Sequence, residues 1–534
     1  MEKRVLGIFC AFILFFSAVI GRILLIDTHS DYVHAAQSHS VYTVTLARTR
    51  GRIYDRSGQP LAGGFYGYKA LVVPSAKTSS ALMQYLPSER FDAIRDALKG
   101  SFPFSVDVPD GTCESDGITV YRVPQRYSLT TPAVHLVGRC GQNGGESGIE
   151  RAYNDLLAAA AGELTVTCRV DAAGRSLAGA RQTVTDTTSR SASGVILTID
   201  TTLQHIAEDA AGHFIESGAV VLLDADSSEI LAMVSLPDYD RNRIADYLDD
   251  ARAPLVNRAI AAYNAGSVFK PVIAAAALEN GWDPLEVYEC TGAVTVGRHT
   301  MGCIHHTAHG SVALREAIEH SCNTYFIHTA RQTGGDALLQ MAQSLGFGQS
   351  TALSDRYTAS AGTLPSSESL RLPAELANFS FGQGKLTVTP VQVAGMFAAI
   401  ARGGIYLEPR VVRGLTDDGC HLTAPSPSPV ARRAMRQETA EILRECLRAA
   451  VLEGTAKAGA SDRVTSAAKT GTAETGIVKN GRTINQAWYA GFFPCEQPRY
   501  VCVVLAEGGS SGGSAAGPVF KEIAERVMSL PDSQ

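Results

Sequence analysis

Ser267-Val268-Phe269-Lys270-Pro271-Val272-Ile273-Ala274-Ala275-Ala276-Ala277-Leu278 carries two polar residues, Ser267 and Lys270, and runs on as apolar, alanine-rich sequence. Alanine is the strongest helix former and proline is tolerated only in a helix's first turn, so a helix begins close to Ser267. Lys270, three residues on, then shares a face with Ser267, their Cβ atoms about 5 to 6 Å apart. The spacing builds in contact between a hydroxyl and an amine. A serine hydroxyl is a poor nucleophile: it needs a base within hydrogen-bond reach and donors for the oxyanion it creates. Lys270 serves as that base if burial and a nearby positive charge lower its pKa. The Ser267 N–H, at the helix start and the positive end of its dipole, suits a developing oxyanion.

Two later motifs supply what the first lacks. Ser321-Cys322-Asn323 carries a hydroxyl able to relay a proton to a leaving amine, and an amide able to hold both a substrate backbone and Lys270. Lys469-Thr470-Gly471 carries a cation and a hydroxyl for a substrate carboxylate, a glycine that leaves room for an extended peptide, and a following Thr472 N–H to complete the oxyanion pair. Lys469 is also the candidate for the nearby positive charge. Each motif has a bland reading: a capped core helix, an N-cap, a plain turn. A second Ser-x-x-Lys at Ser466 to Lys469 reads as an accident. All three motifs in this order form the serine acyl-transfer set familiar from penicillin-binding proteins and β-lactamases.

Around these motifs the texture is that of an α+β unit. Val195 to Ile199 reads as a strand, Thr202 to Glu216 as a helix, and Ala219 to Leu223 with Ile230 to Val234 as a hairpin. Ala487 to Phe493 and Tyr500 to Leu505 read as paired strands, followed by a helix over Val519 to Met528. Strands at both ends with helices between predict an antiparallel sheet closed by the unit's two ends, over residues 194–534. Ala424 to Pro429 and Gly508 to Gly517 read as exposed loops. Residues 28–193 show glycine-rich turns, short β-branched runs such as Val41 to Leu46 and no catalytic cluster, and read as a pedestal. No internal repeat supports a solenoid or propeller.

At the start of the chain, Val5 to Gly21 is uncharged and continues past Arg22 through Ile23 to Ile26, enough to span a bilayer over residues 1–27. The run is longer than the apolar region of a signal peptide and no small-residue cleavage site follows, so an uncleaved anchor is expected. Lys3 and Arg4 keep the short end cytoplasmic and put the remainder outside. The 534 residues carry 45% hydrophobic and 19% charged side chains, a globular composition rather than a disordered or polytopic one. A net charge of -6 has the wrong sign for a phosphate-backbone binder, which argues against nucleic acid as a partner.

The combination resembles the class B penicillin-binding proteins, monofunctional peptidoglycan D,D-transpeptidases of division, elongation or sporulation. Arg50-Gly51-Arg52-Ile53-Tyr54-Asp55-Arg56-Ser57-Gly58 and Gly148-Ile149-Glu150-Arg151 resemble the family's pedestal motifs. Leu197-Thr198-Ile199-Asp200 with Gln204, Asn257-Arg258-Ala259-Ile260, Phe381-Gly382-Gln383-Gly384 with Thr389-Pro390, and Trp488-Tyr489-Ala490-Gly491-Phe492 extend the likeness over nearly the whole chain. It implies a transmembrane anchor, an elongated mixed α/β pedestal and a C-terminal β-lactamase-like transpeptidase domain with helices flanking a central antiparallel sheet. It also implies catalysis by Ser267, Lys270, Ser321, Asn323 and Lys469, with Thr470, Gly471 and Thr472 binding substrate or oxyanion, and no cofactor. The expected substrates are lipid II-derived strands whose stem peptides end in D-Ala-D-Ala. β-Lactams are expected to stall the acyl-enzyme, and a membrane glycosyltransferase is the expected partner. D,D-carboxypeptidase and β-lactamase are rival activities; a catalytically silent sensor or divisome scaffold is the rival from another class.

Eleven cysteines are too few for a disulfide scaffold of this length and form no paired Cys-x-x-Cys signature. Cys290 and Cys303 bracket a short insertion before His305, His306 and His309. A disulfide pinning this loop, a zinc site using one cysteine with histidines, and unpaired structural residues are all open readings.

Overall fold

The computed structural model describes residues 2–28, 40–113, 115–128, 131–141, 143–177, 179–479 and 482–531. The expected pedestal and C-terminal boundaries therefore include residues 29–39 and 532–534, which lie outside the described residues. The described chain divides into two compact units.

The first unit comprises residues 1–51, 63–127 and 159–192. It opens with a helix, Glu2–Thr28, of which Lys3–Thr28 is 26 residues of mean hydropathy 2.5 with none of its apolar window buried. That is long and apolar enough to cross a membrane. The remainder holds two antiparallel three-stranded sheets. One pairs Val41–Thr49 and Thr183–Asp186 on either side of Gly162–Arg169; the other flanks Phe65–Val72 with Phe104–Val108 and Ile118–Gln125. Alternating buried positions in Gly162–Arg169 put Leu164, Val166 and Cys168 into a core with Val44, Leu46, Leu71 and Val123. Ser75 caps the helix Ala76–Tyr85 through a capping box with Thr78, and Leu82 of that helix packs on Val72 and Ile118.

The second unit comprises residues 52–62, 128–158 and 193–534. This departs from the expected linear boundary at 193, because two earlier stretches belong to it. Gly194–Leu197 pairs in parallel with Arg52–Tyr54 and antiparallel with Val412–Thr416. Asp55, 2% exposed, fastens the earlier stretch: its carboxylate accepts from Thr201 Oγ1 at 2.7 Å and from the Ser57 and Gln59 N–H groups at 2.8 Å. From Arg52 onward the Arg-Gly-Arg-Ile-Tyr-Asp-Arg motif thus contributes structure to this unit, while Arg50 and Gly51 belong to the first.

The elements that carry the rest of the second unit are α1 (Thr201–Phe214), β1 (Gly218–Asp224), β2 (Ile230–Leu236), α2 (Lys270–Glu279), α3 (Leu314–Glu319), α4 (Asn323–Thr333), α5 (Pro373–Ser380), α6 (Pro390–Ala401), α7 (Gln437–Leu452), β3 (Ala467–Lys479), β4 (Arg482–Phe493), β5 (Tyr500–Glu507) and α8 (Gly517–Met528). The sheet runs β2-β1-β5-β4-β3, antiparallel throughout. This is the closure by both ends of the unit that the strand pattern predicts. β1, β2 and β5 read as continuous apolar runs because six consecutive residues of each are buried. Helices α1 and α8 pack on each other and on the sheet, and α6 packs on β1, β4 and β5. Helix α6 is apolar all round and buried from Pro390 to Ile400, each large side chain contributing about 1.5–3 kcal/mol on burial. Thr389 caps it, and Gln392 closes the box while donating to the carbonyls of Gly346, Gln349 and Ala361.

Two expected loops are more ordered than their composition suggests. Leu422–Pro425 is a strand paired with Val412–Thr416. Gly512–Ala516 winds into a single wide helical turn with Gly512 and Ala516 buried. A Cβ on Gly512 would stand 2.2 Å from Trp488 O and 2.5 Å from Gly471 O, so only glycine permits this approach to the sheet.

Candidate active site

Distant stretches of sequence meet at a cleft of 770 Å³ in the second unit, whose lining includes Ser267, Ser321, Asn323, Thr470 and Thr472. Lys270, Lys469 and Gly471 lie behind that surface; both lysines are 0% exposed.

Ser267 sits in the 3-10 turn Gly266–Phe269, which passes directly into α2 with Pro271 in its first turn, the helix start the spacing predicts. Gly266 enters that turn at φ +59 with its N–H on Gly382 O at 2.9 Å. A Cβ on Gly382, itself at φ +82, would collide with Gly266 O at 1.9 Å. These two glycines therefore lock the serine turn from behind. On the other side β3 presses directly against it: a Cβ on Gly471 would reach Ala265 O at 3.0 Å and Val268 N at 3.1 Å. The room left by this glycine serves the serine turn, whereas the sequence reading reserved it for a substrate strand. β3 is the outer strand of the five-stranded sheet, so Lys469-Thr470-Gly471 stands on an edge able to receive an extended peptide.

Ser321 and Asn323 occupy the turn between α3 and α4, as expected. Ser321 adopts φ +57, left-handed for a non-glycine residue, and in that conformation both of its oxygens meet Lys270. Lys270 Nζ donates to Ser321 O at 2.6 Å, to Ser321 Oγ at 3.0 Å and to Asn323 Oδ1 at 2.7 Å. Asn323 Nδ2 donates to Gly302 O at 2.9 Å, which fixes the amide's orientation. Three donors are thus committed, and Ser267 is not among their acceptors. The hydrogen bonds of Lys270 thus bridge the first motif to the second.

Burial is the main cause that pushes Lys270 down to about 7, opposed by the sulfurs of Cys322 and Cys303. Lys469 is held well below the ordinary lysine range, first by burial and then by the charge of Lys270; its Nζ donates to Thr470 O at 3.1 Å. The sequence reading named burial and the charge of Lys469 together as what would depress Lys270. Burial is the leading cause for both lysines. Thr470 Oγ1 donates to Thr455 Oγ1 at 3.1 Å, and Thr472 Oγ1 accepts from Gly512 N at 3.2 Å.

Several lining residues escaped sequence reasoning, among them Thr455, Asn378, Glu474 and Ser511. Thr455 belongs to no motif and reaches the cleft only because the chain leaving α7 returns beside β3. Cys322, at the centre of the second motif, was legible in position but not in surroundings. Cys290 and Cys303 are free thiols with sulfurs 3.8 Å apart, and Cys303 borders the cleft.

Residues 218–525 match the family model for the penicillin binding protein transpeptidase domain. The chain is 32% identical over 353 residues to peptidoglycan D,D-transpeptidase PbpA of Mycolicibacterium smegmatis, covering 60% of this chain and 70% of that one. It is 27% identical over 569 residues to stage V sporulation protein D of Bacillus subtilis, covering 98% and 85%. Among solved structures, penicillin-binding protein A of Mycobacterium tuberculosis in a ceftriaxone acyl-enzyme complex superposes with TM-score 0.64 at 25% identity, covering 92% of this chain and 99% of that one.

Proposed function

Because the chain belongs to the penicillin-binding protein transpeptidase family, and is by that membership a serine acyl-transfer peptidoglycan D,D-transpeptidase acylated by β-lactams, we propose that Ser267 is its nucleophile and Lys270 its base. Ser267 Oγ attacks the penultimate D-alanine carbonyl while neutral Lys270 takes the hydroxyl proton. The N–H groups of Ser267 and Thr472 hold the oxyanion. As the tetrahedral intermediate collapses, the C–N bond breaks and the proton returns from Lys270 through the Ser321 hydroxyl to the leaving D-alanine amine. An amine from a neighbouring stem peptide then attacks the ester, gives up its proton by the reverse route and frees Ser267. Asn323 orients Lys270 and the donor backbone; Lys469 and Thr470 attract the terminal carboxylate, Lys469 from behind the cleft wall; Gly471 keeps β3 against the nucleophile's turn.

The observation that carries this reading is the buried Lys270 ammonium, bonded to both Ser321 and Asn323 behind a cleft that Ser267 lines. Fluorescent penicillin labelling of wild type and Ser267→Ala tests it. Stable label on wild type and none on the variant is the expected result. No label on wild type would leave a silent scaffold, and rapid loss of label a β-lactamase. D-Alanine release without crosslinked product would leave a carboxypeptidase.

The remaining parts of the proposal follow from the amino terminus and the fold. Glu2–Thr28 anchors the chain in the cytoplasmic membrane with Lys3 and Arg4 inside, so the second unit, which carries the transpeptidase site, lies outside with the rest of the first unit as its pedestal. The chain crosslinks strands made from lipid II by a separate membrane glycosyltransferase partner.

A further inference from the structure

Three cysteines and a histidine converge directly behind the Ser321-Cys322-Asn323 turn. Cys290 ends the strand Tyr288–Cys290, and Gly310, its partner in the strand Gly310–Val312, follows His309. Cys303 follows the hairpin Ala293–Val296 and His299–Gly302, and Cys322 precedes α4. One ligand atom from each of Cys290, Cys303, His309 and Cys322 lies within 4.8 Å of every other. The three cysteines are 1%, 5% and 0% exposed. Sγ of Cys303 stands 3.8 Å from Sγ of both Cys290 and Cys322, and Cys290 Sγ stands 3.4 Å from His309 Nδ1.

Those separations have a simple geometric meaning. Four ligands arranged tetrahedrally at about 2.3 Å for sulfur and 2.0–2.1 Å for nitrogen leave edges of about 3.8 Å between sulfurs and about 3.5 Å between sulfur and nitrogen. The surroundings suit thiolates as well. Thr324 Oγ1 donates to Cys290 Sγ at 3.1 Å, and the cluster sits at the first turn of α4, whose positive dipole end offsets the net negative charge of three thiolates on a dication. The His309 ring stacks on His320 with centroids 5.6 Å apart and an interplanar angle of 9°.

We propose that Cys290, Cys303, His309 and Cys322 form a tetrahedral zinc site that pins the 290–309 loop to the centre of the Ser321-Cys322-Asn323 turn. The ligands are positioning residues. Cys322 lies between the two residues that bind Lys270, so the metal holds Ser321 and Asn323 in register with that lysine. This last consequence, unlike the site itself, rests on the functional reading above.

The test uses the full-length chain in detergent. Wild type is expected to hold about one zinc ion, and cobalt exchanged into it to give the visible bands of a tetrahedral thiolate complex. Cys303→Ala and His309→Ala should lose the metal and slow penicillin acylation roughly 10-fold or more. His309→Cys, which offers a four-thiolate set, should keep both metal and acylation, a rescue that a merely space-filling histidine would not show. Stripping wild type with a chelator should slow acylation reversibly, with added zinc restoring it, and this arm does not depend on how any variant folds. Ser267→Ala should keep its zinc while losing its label, which separates failure of the site from failure of the functional reading. Metal-free wild type with Cys290 and Cys303 joined in a disulfide, shown by alkylation mass with and without reductant, would overturn the site. So would zinc retained by Cys303→Ala. Acylation indifferent to zinc would overturn the positioning role.

Discussion

Lys270 is where burial, hydrogen bonding and the proposed chemistry coincide. Its amine works as a base only when neutral, and burial brings that state within reach near pH 7. Penicillin acylation by the full chain should therefore rise as pH increases through about 7 and then level off, measured by labelling rate at fixed ionic strength. A profile flat across that range would remove Lys270 as the titrating base. The linkage to folding has a definite sign. The folded pKa lies below the ordinary 10.5, so the unfolded chain binds the extra proton between those values, and this lysine's contribution to stability grows as pH rises from about 7 to 10.5. Lys270→Arg keeps a cation that cannot deprotonate, and should lower acylation about 10²- to 10⁴-fold in the same assay. That Ser267, Lys270, Ser321, Asn323 and Lys469 belong together was legible in the sequence from three short motifs, and the structure gathers them at one cleft. Their partnerships were not: the bond from Lys270 to Ser321 spans 51 residues, and the cause of its lowered pKa depends on what covers it.

Among the elements, β3 and α6 are placed by opposite kinds of sequence signal. β3 has the Lys469-Thr470-Gly471 motif and lies so close to the serine turn that a Cβ at position 471 would crowd it. Gly471→Ala must push Ala265 O or Val268 N by a few tenths of an ångström. Acylation should fall about 10- to 100-fold with a normal unfolding midpoint, since misplacement of the nucleophile costs rate before it costs fold. Helix α6 has no catalytic motif but is buried all round. Phe397→Ala there should destabilise the unit by about 3–5 kcal/mol, read from denaturant unfolding. The paired strands and α8 were legible from apolar runs and helical periodicity. Within Gly508 to Gly517, read as an exposed loop, the turn Gly512–Ala516 escaped because Gly512 is ordered by its approach to Trp488 and Gly471, which no local pattern announces.

Across the whole molecule, the two units interleave along the chain. A linear reading placed the boundary at 193, whereas residues 52–62 and 128–158 belong with the second unit. Parallel pairing of Arg52–Tyr54 with Gly194–Leu197 joins strands about 140 residues apart, a separation beyond any window of periodicity. The apolar amino-terminal helix, by contrast, was fully legible, since hydropathy is local. Deleting residues 2–28 should release the protein from the membrane fraction while leaving penicillin labelling of the solubilised chain close to wild type, measured on matched fractions. Loss of labelling with the deletion would tie the anchor to folding of the catalytic unit. The position of β5 carries a consequence for biogenesis. Tyr500–Glu507 is the last of the five strands in sequence yet lies in the middle of the sheet, between β1 and β4. Until it arrives, a nascent chain holds two half-sheets with bare edges, open to mispairing with neighbouring polypeptides. The catalytic sheet cannot close before that strand is made, so a ribosome halted ahead of Tyr500 yields no weakened crosslinker but an aggregation hazard.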